Sequence, residues 1–223
     1  MKKDLDYKKM VIKQFTFLHS RIPYFYTMHN VKISGLLDNF LSLKEYLSNL
    51  ISNCPNHYFE NKNRSSTLKF RLNAKLENDY ENEMCLLAKY GLDINKDRFS
   101  SNHMKVQMFA LENDKKTIAI EVPIWLEQSE LKELNGILRQ DKPFTGHIDI
   151  LRLENEKIWI WDYKPEANKE EFAATQTYFY ALMLSKRINL SLDNFMCGYF
   201  DKDVAYVFNP SEVKVEANSN LNQ

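Results

Sequence analysis

The stretch from Gly146 to Pro165 constrains the fold more than any other part of the sequence. Two short apolar runs in it are separated by a polar turn, a pattern typical of a β-hairpin. Side chains alternate along a strand, so Asp162 and Lys164 share one face, about 7 Å apart. The hairpin can bring Asp149 beside them. Two carboxylates next to an ammonium predict a site for a hard cation; a solvated strand end with ordinary surface charges is the alternative.

Further motifs follow in a fixed order. Gly146–Asp149 reads G-x-x-D, Asp162–Lys164 reads D-x-K, and Gln176–Tyr180 reads Q-x-x-x-Y. This order resembles the PD-(D/E)XK nuclease superfamily and, within it, the RecB-like nucleases, which include the CRISPR-associated RecB-like exonucleases. The resemblance covers about residues 102–208, roughly half of the chain, and leaves the first hundred residues out.

The resemblance implies a hydrolase that cuts phosphodiester bonds with the help of Mg²⁺ or Mn²⁺. Asp149 and Asp162 would be catalytic metal ligands, and the backbone carbonyl of Tyr163 would be a further ligand. Lys164 would orient the attacking water or stabilise the charged phosphorane; a simple ion pair with Asp162 is the alternative. His147 is another candidate ligand or a phosphate contact.

Other candidates lie on neighbouring elements. Gln176 and Tyr180 share one helix face, which in the resembled family meets the substrate; a packing helix with both residues as bystanders is the alternative. Glu121 is a further catalytic acid or an exposed strand glutamate. His103 begins the preceding helix, where RecB-like nucleases carry a metal-binding histidine; a surface histidine is the alternative. Strict alternation would place Glu121 opposite a shared face of Ile118, Ile120, Val122 and Ile124.

The predicted elements of this half are a helix from His103 to about Asn113, a strand over 117–125, the hairpin, a helix over 169–187 and a final hairpin over 195–208. This order is typical of an α/β domain with one crossover helix. It matches a restriction-endonuclease-like core, a central mixed sheet flanked by helices. We assign residues 96–209 to this nuclease core and expect residues 210–223 to form a disordered tail.

Residues 1–95 are predicted to form a helical region that packs against the core. Apolar residues at helical spacing predict a first helix ending near Pro23, a second with Ser34 as its N-cap, and a third over about 67–90. The aromatic residues 24–26 are predicted to pack, with stacking on bases as the alternative.

Composition limits the classes of function. The chain has 30 basic and 30 acidic residues, so any basic groove for nucleic acid must be balanced by acids elsewhere. Its three cysteines form no C-x-x-C pair, which argues against a disulfide framework or a zinc ribbon. Some RecB-like nucleases hold an iron–sulfur cluster with three cysteines after the core; none follows Cys197, so we expect no cluster. No apolar run suits a signal peptide or a membrane span, which predicts a soluble, cytoplasmic protein.

The favoured interpretation is a metal-dependent DNA nuclease, by analogy an exonuclease on single-stranded ends, with antiviral defence, DNA repair or mobile-element processing as its setting. An endonuclease that cuts DNA or RNA is a second hypothesis. A non-catalytic scaffold that binds nucleic acid or a partner protein is a third, and an unrelated α/β domain is the last. No G-x-x-x-x-G-K-[ST] motif occurs, so unwinding would require a helicase or another protein partner. Oligomeric state and strand polarity stay open.

Overall fold

The computed structural model describes residues 11–134, 137–138 and 141–215. In these residues the strands are β1 (Ile12–His19), β2 (Ile22–His29), β3 (Glu77–Asp79), β4 (Thr117–Leu126), β5 (Phe144–Glu154), β6 (Lys157–Tyr163), β7 (Phe195–Phe200) and β8 (Ala205–Phe208). The α-helices of the same residues are α1 (Asn30–Leu36), α2 (Leu41–Asn53), α3 (Glu83–Ile94), α4 (Asn102–Asn113) and α5 (Ala173–Ile188).

The strands form one sheet in the order β1-β2-β4-β5-β6-β7-β8-β3. Neighbouring strands are antiparallel except β6 and β7, which are parallel. Parallel neighbours need a crossover connection, and α5 supplies it. The helices α2 and α5 pack on one face of the sheet, and α3 and α4 pack on the other. The predicted α/β fold, with a mixed sheet flanked by helices, is therefore confirmed.

The strands β5 and β6 form the predicted hairpin. The turn residues Asn155–Glu156 have φ angles of 50° and 55°, and a left-handed conformation at both turn positions matches the twist of the flanking strands. The ladder ends at the pair Ile150–Trp161. Asp149 and Asp162 lie one residue beyond this pair on their strands, so the two strands part at these acids.

The strand β4 departs from regular alternation at Glu121, whose φ angle is 53°. A left-handed conformation is uncommon for a residue other than glycine, and it stores strain. The ladder with β5 also shifts its register between Thr117 and Ala119. The prediction of one shared isoleucine face is therefore wrong: Ile120 packs toward α4, while Ile118 and Val122 pack toward α5. The left-handed backbone at Glu121 points its side chain toward α4, where Gln107 binds it.

A hairpin replaces the first predicted helix. Strands β1 and β2 pair along their whole length, and β2 extends the sheet beside β4. The prediction of a helix ending near Pro23 is wrong because aromatic side chains of this segment stack across the hairpin, as Phe15 does on Tyr26 with ring centroids 6.1 Å apart. The packing predicted for residues 24–26 is confirmed for Tyr26, which is fully buried. Residues 1–10 lie outside the described residues.

Two further helix boundaries differ from the predictions. Ser34 lies inside α1, and His29 caps that helix by accepting a hydrogen bond from the backbone of Lys32. The third predicted helix begins only at Glu83 and continues past Gly91. A β-carbon at Gly91 would lie 3.0 Å from backbone atoms of α4, so this glycine allows two helices to pack closely and does not end the helix.

The predicted boundaries within the chain can be compared with these elements. Strands on both sides of residue 95 belong to one sheet, and the division at that residue stays a prediction. Within the tail that was expected to be disordered, Pro210–Glu212 form a 3₁₀ turn and Lys214 bridges to Asn73. Residues 216–223 lie outside the described residues. In the part of the chain that the structure describes, none of the helices has the length and apolarity needed to cross a bilayer.

Candidate active site

The candidate site lies where β5 and β6 part, between the start of α4 and the first turns of α5. Asp149 is 9 % exposed, and its Oδ2 accepts a hydrogen bond of 3.0 Å from the backbone N–H of Tyr163. The carboxylate thus takes the place of a ladder partner at the point where the strands separate. The side chain of Tyr163 packs into the core on the α4 side, so only its backbone belongs to the site.

Lys164 joins Asp162 to α5. Its Nζ lies 2.6 Å from Asp162 Oδ2 and donates to Gln176 Oε1 at 3.0 Å. Gln176 Nε2 in turn donates to Asp162 Oδ1 at 3.3 Å and to the hydroxyl of Tyr180 at 2.6 Å. The structure therefore brings the D-x-K and Q-x-x-x-Y motifs together in one hydrogen-bonded set. The ion pair between Lys164 and Asp162 is present within that set.

Glu121 is held at the site from the opposite side. In the register of β4 and β5 it lies between the pairs Ile120–Ile150 and Val122–Ile148, so it faces Asp149. Gln107 Nε2 donates to Glu121 Oε1 at 2.7 Å. Burial raises the pKa of Glu121 to about 7, and the charge of Asp162 adds to the shift.

Sequence reasoning did not single out Gln107. It lies one turn after His103 on α4, is fully buried, and its Oε1 has no hydrogen-bond partner among the described residues. A buried glutamine normally satisfies its amide, so a polar residue inside the apolar run of this helix was the available signal.

Electrostatics in the site are dominated by negative charge. Burial raises the pKa of Asp149 well above its ordinary value, and Asp162 and Glu121 raise it further. Burial alone would lower the pKa of Lys164, but Asp162 and Asp149 outweigh it, so the net pKa is raised and the ammonium stays charged. One ammonium thus faces three acidic side chains, and a cluster of buried acids with a single cation is costly.

His103 stands at the edge of the site. Its Nε2 lies 3.9 Å from Asp149 Oδ2, its side chain is 42 % exposed, and its ring meets the Tyr163 ring edge-on. Burial lowers the pKa of His103, which favours the neutral form that can bind a metal. The metal-binding roles of His103 and of the Tyr163 carbonyl stay predictions.

A divalent cation fits the chemistry of this donor set, because carboxylate and carbonyl oxygens are the ligands that Mg²⁺ and Mn²⁺ prefer. Asp162 Oδ2 is buried and faces the Lys164 ammonium at 2.6 Å without a well-directed hydrogen bond. Within the described residues, no three His, Cys, Asp or Glu side chains are already grouped as a metal site. The carboxylates contact Lys164, Gln176 and the Tyr163 amide instead.

His147 lines a small pocket together with Glu121 and Asp149, but its ring is held by other partners. Its Nε2 lies 2.7 Å from Nδ1 of the buried His19, and its ring stacks on Tyr24 with centroids 3.8 Å apart. His19 Nε2 lies 3.1 Å from Asn56 Oδ1. Because that oxygen accepts, His19 carries its proton on Nε2, and His147 Nε2 donates to the bare Nδ1. The Nε2 atom of His147 is therefore taken up by His19.

This histidine pair predicts a loss of stability on acidification. Burial lowers the pKa of His19 from 6.5 to about 4, and burial with the charge of His19 lowers the pKa of His147 well below its ordinary value. Between these pH values the unfolded chain binds protons that the folded chain excludes, so the free energy of unfolding rises with pH. The slope is at most about 1.4 kcal/mol per pH unit for each proton.

His19→Phe should flatten this dependence between pH 4 and 6.5, because a phenyl ring can keep the stacking on Phe59. The exposed His57→Phe serves as the control and should leave the slope unchanged. Urea unfolding in EDTA across this range measures both variants. Any opposing slope from Glu121 is common to both proteins and cancels in the comparison. Equal slopes in the two variants would show that the buried pair does not set the acid sensitivity.

Comparison with known protein families identifies the family of this chain. The sequence model of the PD-(D/E)XK nuclease superfamily matches residues 45–220, more than half of the chain. The match includes every predicted site residue and part of the region that the motifs left out. Searches among curated proteins and among solved structures found no match. By its family match and its fold, the chain belongs to the PD-(D/E)XK nuclease superfamily.

Proposed function

We propose that this protein hydrolyses phosphodiester bonds of DNA with a divalent cation, Mg²⁺ or Mn²⁺, and that it is a RecB-like exonuclease acting on single-stranded ends. The supporting observation is the contact of Lys164 with both Asp162 and Gln176. A salt bridge alone does not require a glutamine that also binds the carboxylate and Tyr180. A site in which the ammonium is held by two partners and stays charged suits an anionic reaction centre.

Each side chain has a role in this proposal. Asp149, Asp162 and the Tyr163 carbonyl would hold the cation, with His103 at its edge. When bound, the cation would make a water nucleophilic and offset the charge of the phosphate. Lys164 would stabilise the negative charge that develops on the phosphate oxygens.

The remaining residues position the reacting groups and the substrate. Gln176 fixes the ammonium of Lys164 through its Oε1. With Tyr180 it would also contact the substrate strand. Glu121, whose pKa is raised to about 7, is matched to accept a proton from water near neutral pH.

The test uses end-labelled linear DNA and circular DNA, single- and double-stranded, together with RNA, each in Mn²⁺, Mg²⁺ and EDTA. We expect metal-dependent loss of linear single strands and no cutting of circles. Lys164→Ala should lose this activity. The control is the exposed Lys169, which pairs with Glu166 three residues earlier in the chain. Lys169→Ala should cleave normally.

Other outcomes would redirect the assignment. Cutting of circles would make the protein an endonuclease, and cutting of RNA alone would change the substrate. Linear duplexes that are degraded only after an unwinding protein is added would identify a helicase as a partner. If no substrate is cut and wild type and Lys164→Ala bind nucleic acid alike, the non-catalytic scaffold is the correct interpretation.

A further inference from the structure

A small pocket beside the acidic residues is lined in part by residues outside the family motifs. Its volume is about 170 Å³. Its lining contains one group from the motif half of the chain, Glu121, Gly146, His147, Asp149 and Tyr180, and a second group, Tyr24, Arg64 and Ser66. The second group comes from the first hundred residues, which the sequence motifs left without a role.

Arg64 is the basic residue of the second group. Its guanidinium donates to the Tyr24 hydroxyl at 3.1 Å, to Ser20 Oγ at 3.2 Å and to the carbonyl of Phe59 at 2.9 Å. All three acceptors are neutral. Among the described residues, no carboxylate lies within ion-pair distance of Arg64. A guanidinium has five N–H donors, so part of its donor capacity and its whole charge remain available.

The segment that carries Arg64 is fixed against the strand that carries Asp149. Arg64 and Thr145 form a parallel β-bridge, and the Thr145 amide donates to the carbonyl of Asn63 at 3.0 Å. Next to them, a β-carbon on Gly146 would lie 2.9 Å from Ser65 Oγ and 2.5 Å from the ring of Tyr180. Only glycine permits this approach. The glycine of the G-x-x-D motif thus lets the segment next to Arg64 pack closely on the strand that carries Asp149.

The positive charge of Arg64 suits this position to binding a nucleic acid. A nucleic-acid strand that enters the site must bring its phosphates close to three acidic side chains. Lys164 offers positive charge on the α5 side, and Arg64 offers it on the side formed by β2 and residues 64–66. An arginine fork matches the oxygens of a phosphate and binds them in pairs.

We propose that Arg64 binds a backbone phosphate of the nucleic-acid substrate, with Tyr24 as the residue that positions its guanidinium. This inference rests on the proposed function and extends it to the region outside the motifs. It predicts that the strand passes beside the pocket that Arg64 and the acids line, so that one phosphate is held by a residue outside the motifs.

The test measures binding of a labelled single-stranded oligonucleotide to the full chain in EDTA, over 50–200 mM salt. We expect Arg64→Ala to bind about tenfold more weakly at the lowest salt. We also expect the slope of log affinity against log salt to fall by about 0.7, the contribution of one phosphate contact on a single strand. Arg64→Lys should keep part of the slope, because it keeps the charge but loses the fork.

The control variant is Arg98→Ala. Arg98 pairs with Glu112, which lies at the end of α4 that is remote from His103. This variant should bind as the unchanged protein does. Arg64 also holds Ser20 and Phe59, so a second measurement separates binding from folding. Oligonucleotides with one neutral methylphosphonate at each position in turn should reveal a position where the unchanged protein loses affinity and Arg64→Ala loses none.

Two results would overturn the inference while leaving the proposed function intact. One is an unchanged salt slope in Arg64→Ala; the other is the same methylphosphonate penalty at every position in both proteins. If the unchanged protein binds no oligonucleotide in EDTA but cleaves DNA or RNA with Mn²⁺ or Mg²⁺, this inference alone fails. If it neither binds nor cleaves, the proposed function fails, and this inference fails with it.

Discussion

Asp162→Asn should lower metal-dependent cleavage by at least about 10²-fold, because the amide keeps the shape of the side chain and removes the charge that would hold a cation. Asp162 is 1 % exposed and contacts both Lys164 and Gln176. The amide can still bond to Gln176, so the hydrogen-bonded set should survive. Initial rates on the best substrate, measured over a Mn²⁺ titration, give the size of the loss.

The stability of the same variant separates catalysis from folding. Losing the partner of the buried Lys164 destabilises the fold, but losing a like charge beside Asp149 and Glu121 offsets that cost. We therefore expect a small change in the melting temperature of Asp162→Asn. Lys164→Met leaves three acidic side chains without their ammonium, so it should melt well below the unchanged protein.

Asp203→Asn is the control for these variants, since Asp203 lies on an exposed turn and pairs only with Lys202 among the described residues. It should cleave and melt as the unchanged protein does. A full cleavage rate in Asp162→Asn would remove this residue from the site and leave the motif as an ordinary ion pair.

The sequence predicted the parts of the fold that depend on interactions between residues close together in the chain. The β5–β6 hairpin has a polar two-residue turn between apolar runs, and the Gln176–Tyr180 spacing is a property of one helix. Both follow from nearest-neighbour geometry. The spatial meeting of Lys164 with Gln176 was implied by the family resemblance, and the structure shows the contact.

The remainder depends on distant partners. Residues 12–29 contain apolar positions that suit a helix, but their aromatic side chains pair across a hairpin whose place beside β4 cannot be read locally. Gln107 meets Glu121 only because the left-handed backbone of that residue turns it toward α4. Arg64 reaches the pocket because its segment forms a β-bridge to Thr145, and no local sequence pattern predicts that bridge.

Asp149→Asn should make the protein more stable in EDTA, by on the order of 1 kcal/mol, the usual size of a single-substitution effect, while it abolishes cleavage. The carboxyl is buried beside two other acids, and its pKa is raised well above the ordinary value by burial and by those charges. Ionising it at neutral pH therefore costs free energy in the folded state. An amide oxygen can still accept the N–H of Tyr163, so the substitution removes repulsion and keeps the bond.

Asp201 provides the opposite case in the same protein. It is 5 % exposed, and its carboxylate accepts backbone hydrogen bonds from Ala167, Asp203 and Val204 at 2.7–2.9 Å. Both carboxylate oxygens accept these bonds, and an amide has only one acceptor oxygen. Asp201→Asn should therefore lose at least one bond and destabilise the protein by about 1–2 kcal/mol. The two buried aspartates should thus respond to the same substitution with opposite signs.

Thermal unfolding with and without Mn²⁺ completes the comparison, at about 2–4 °C for each kcal/mol in a chain of this size. A cation that binds only the folded state raises the melting temperature of the unchanged protein, and it should raise that of Asp149→Asn much less. Asp201→Asn should keep the full response to the metal despite its lower starting point. If Asp149→Asn instead melts below the unchanged protein in EDTA, the carboxylate stabilises the fold, and the acids at this site are structural.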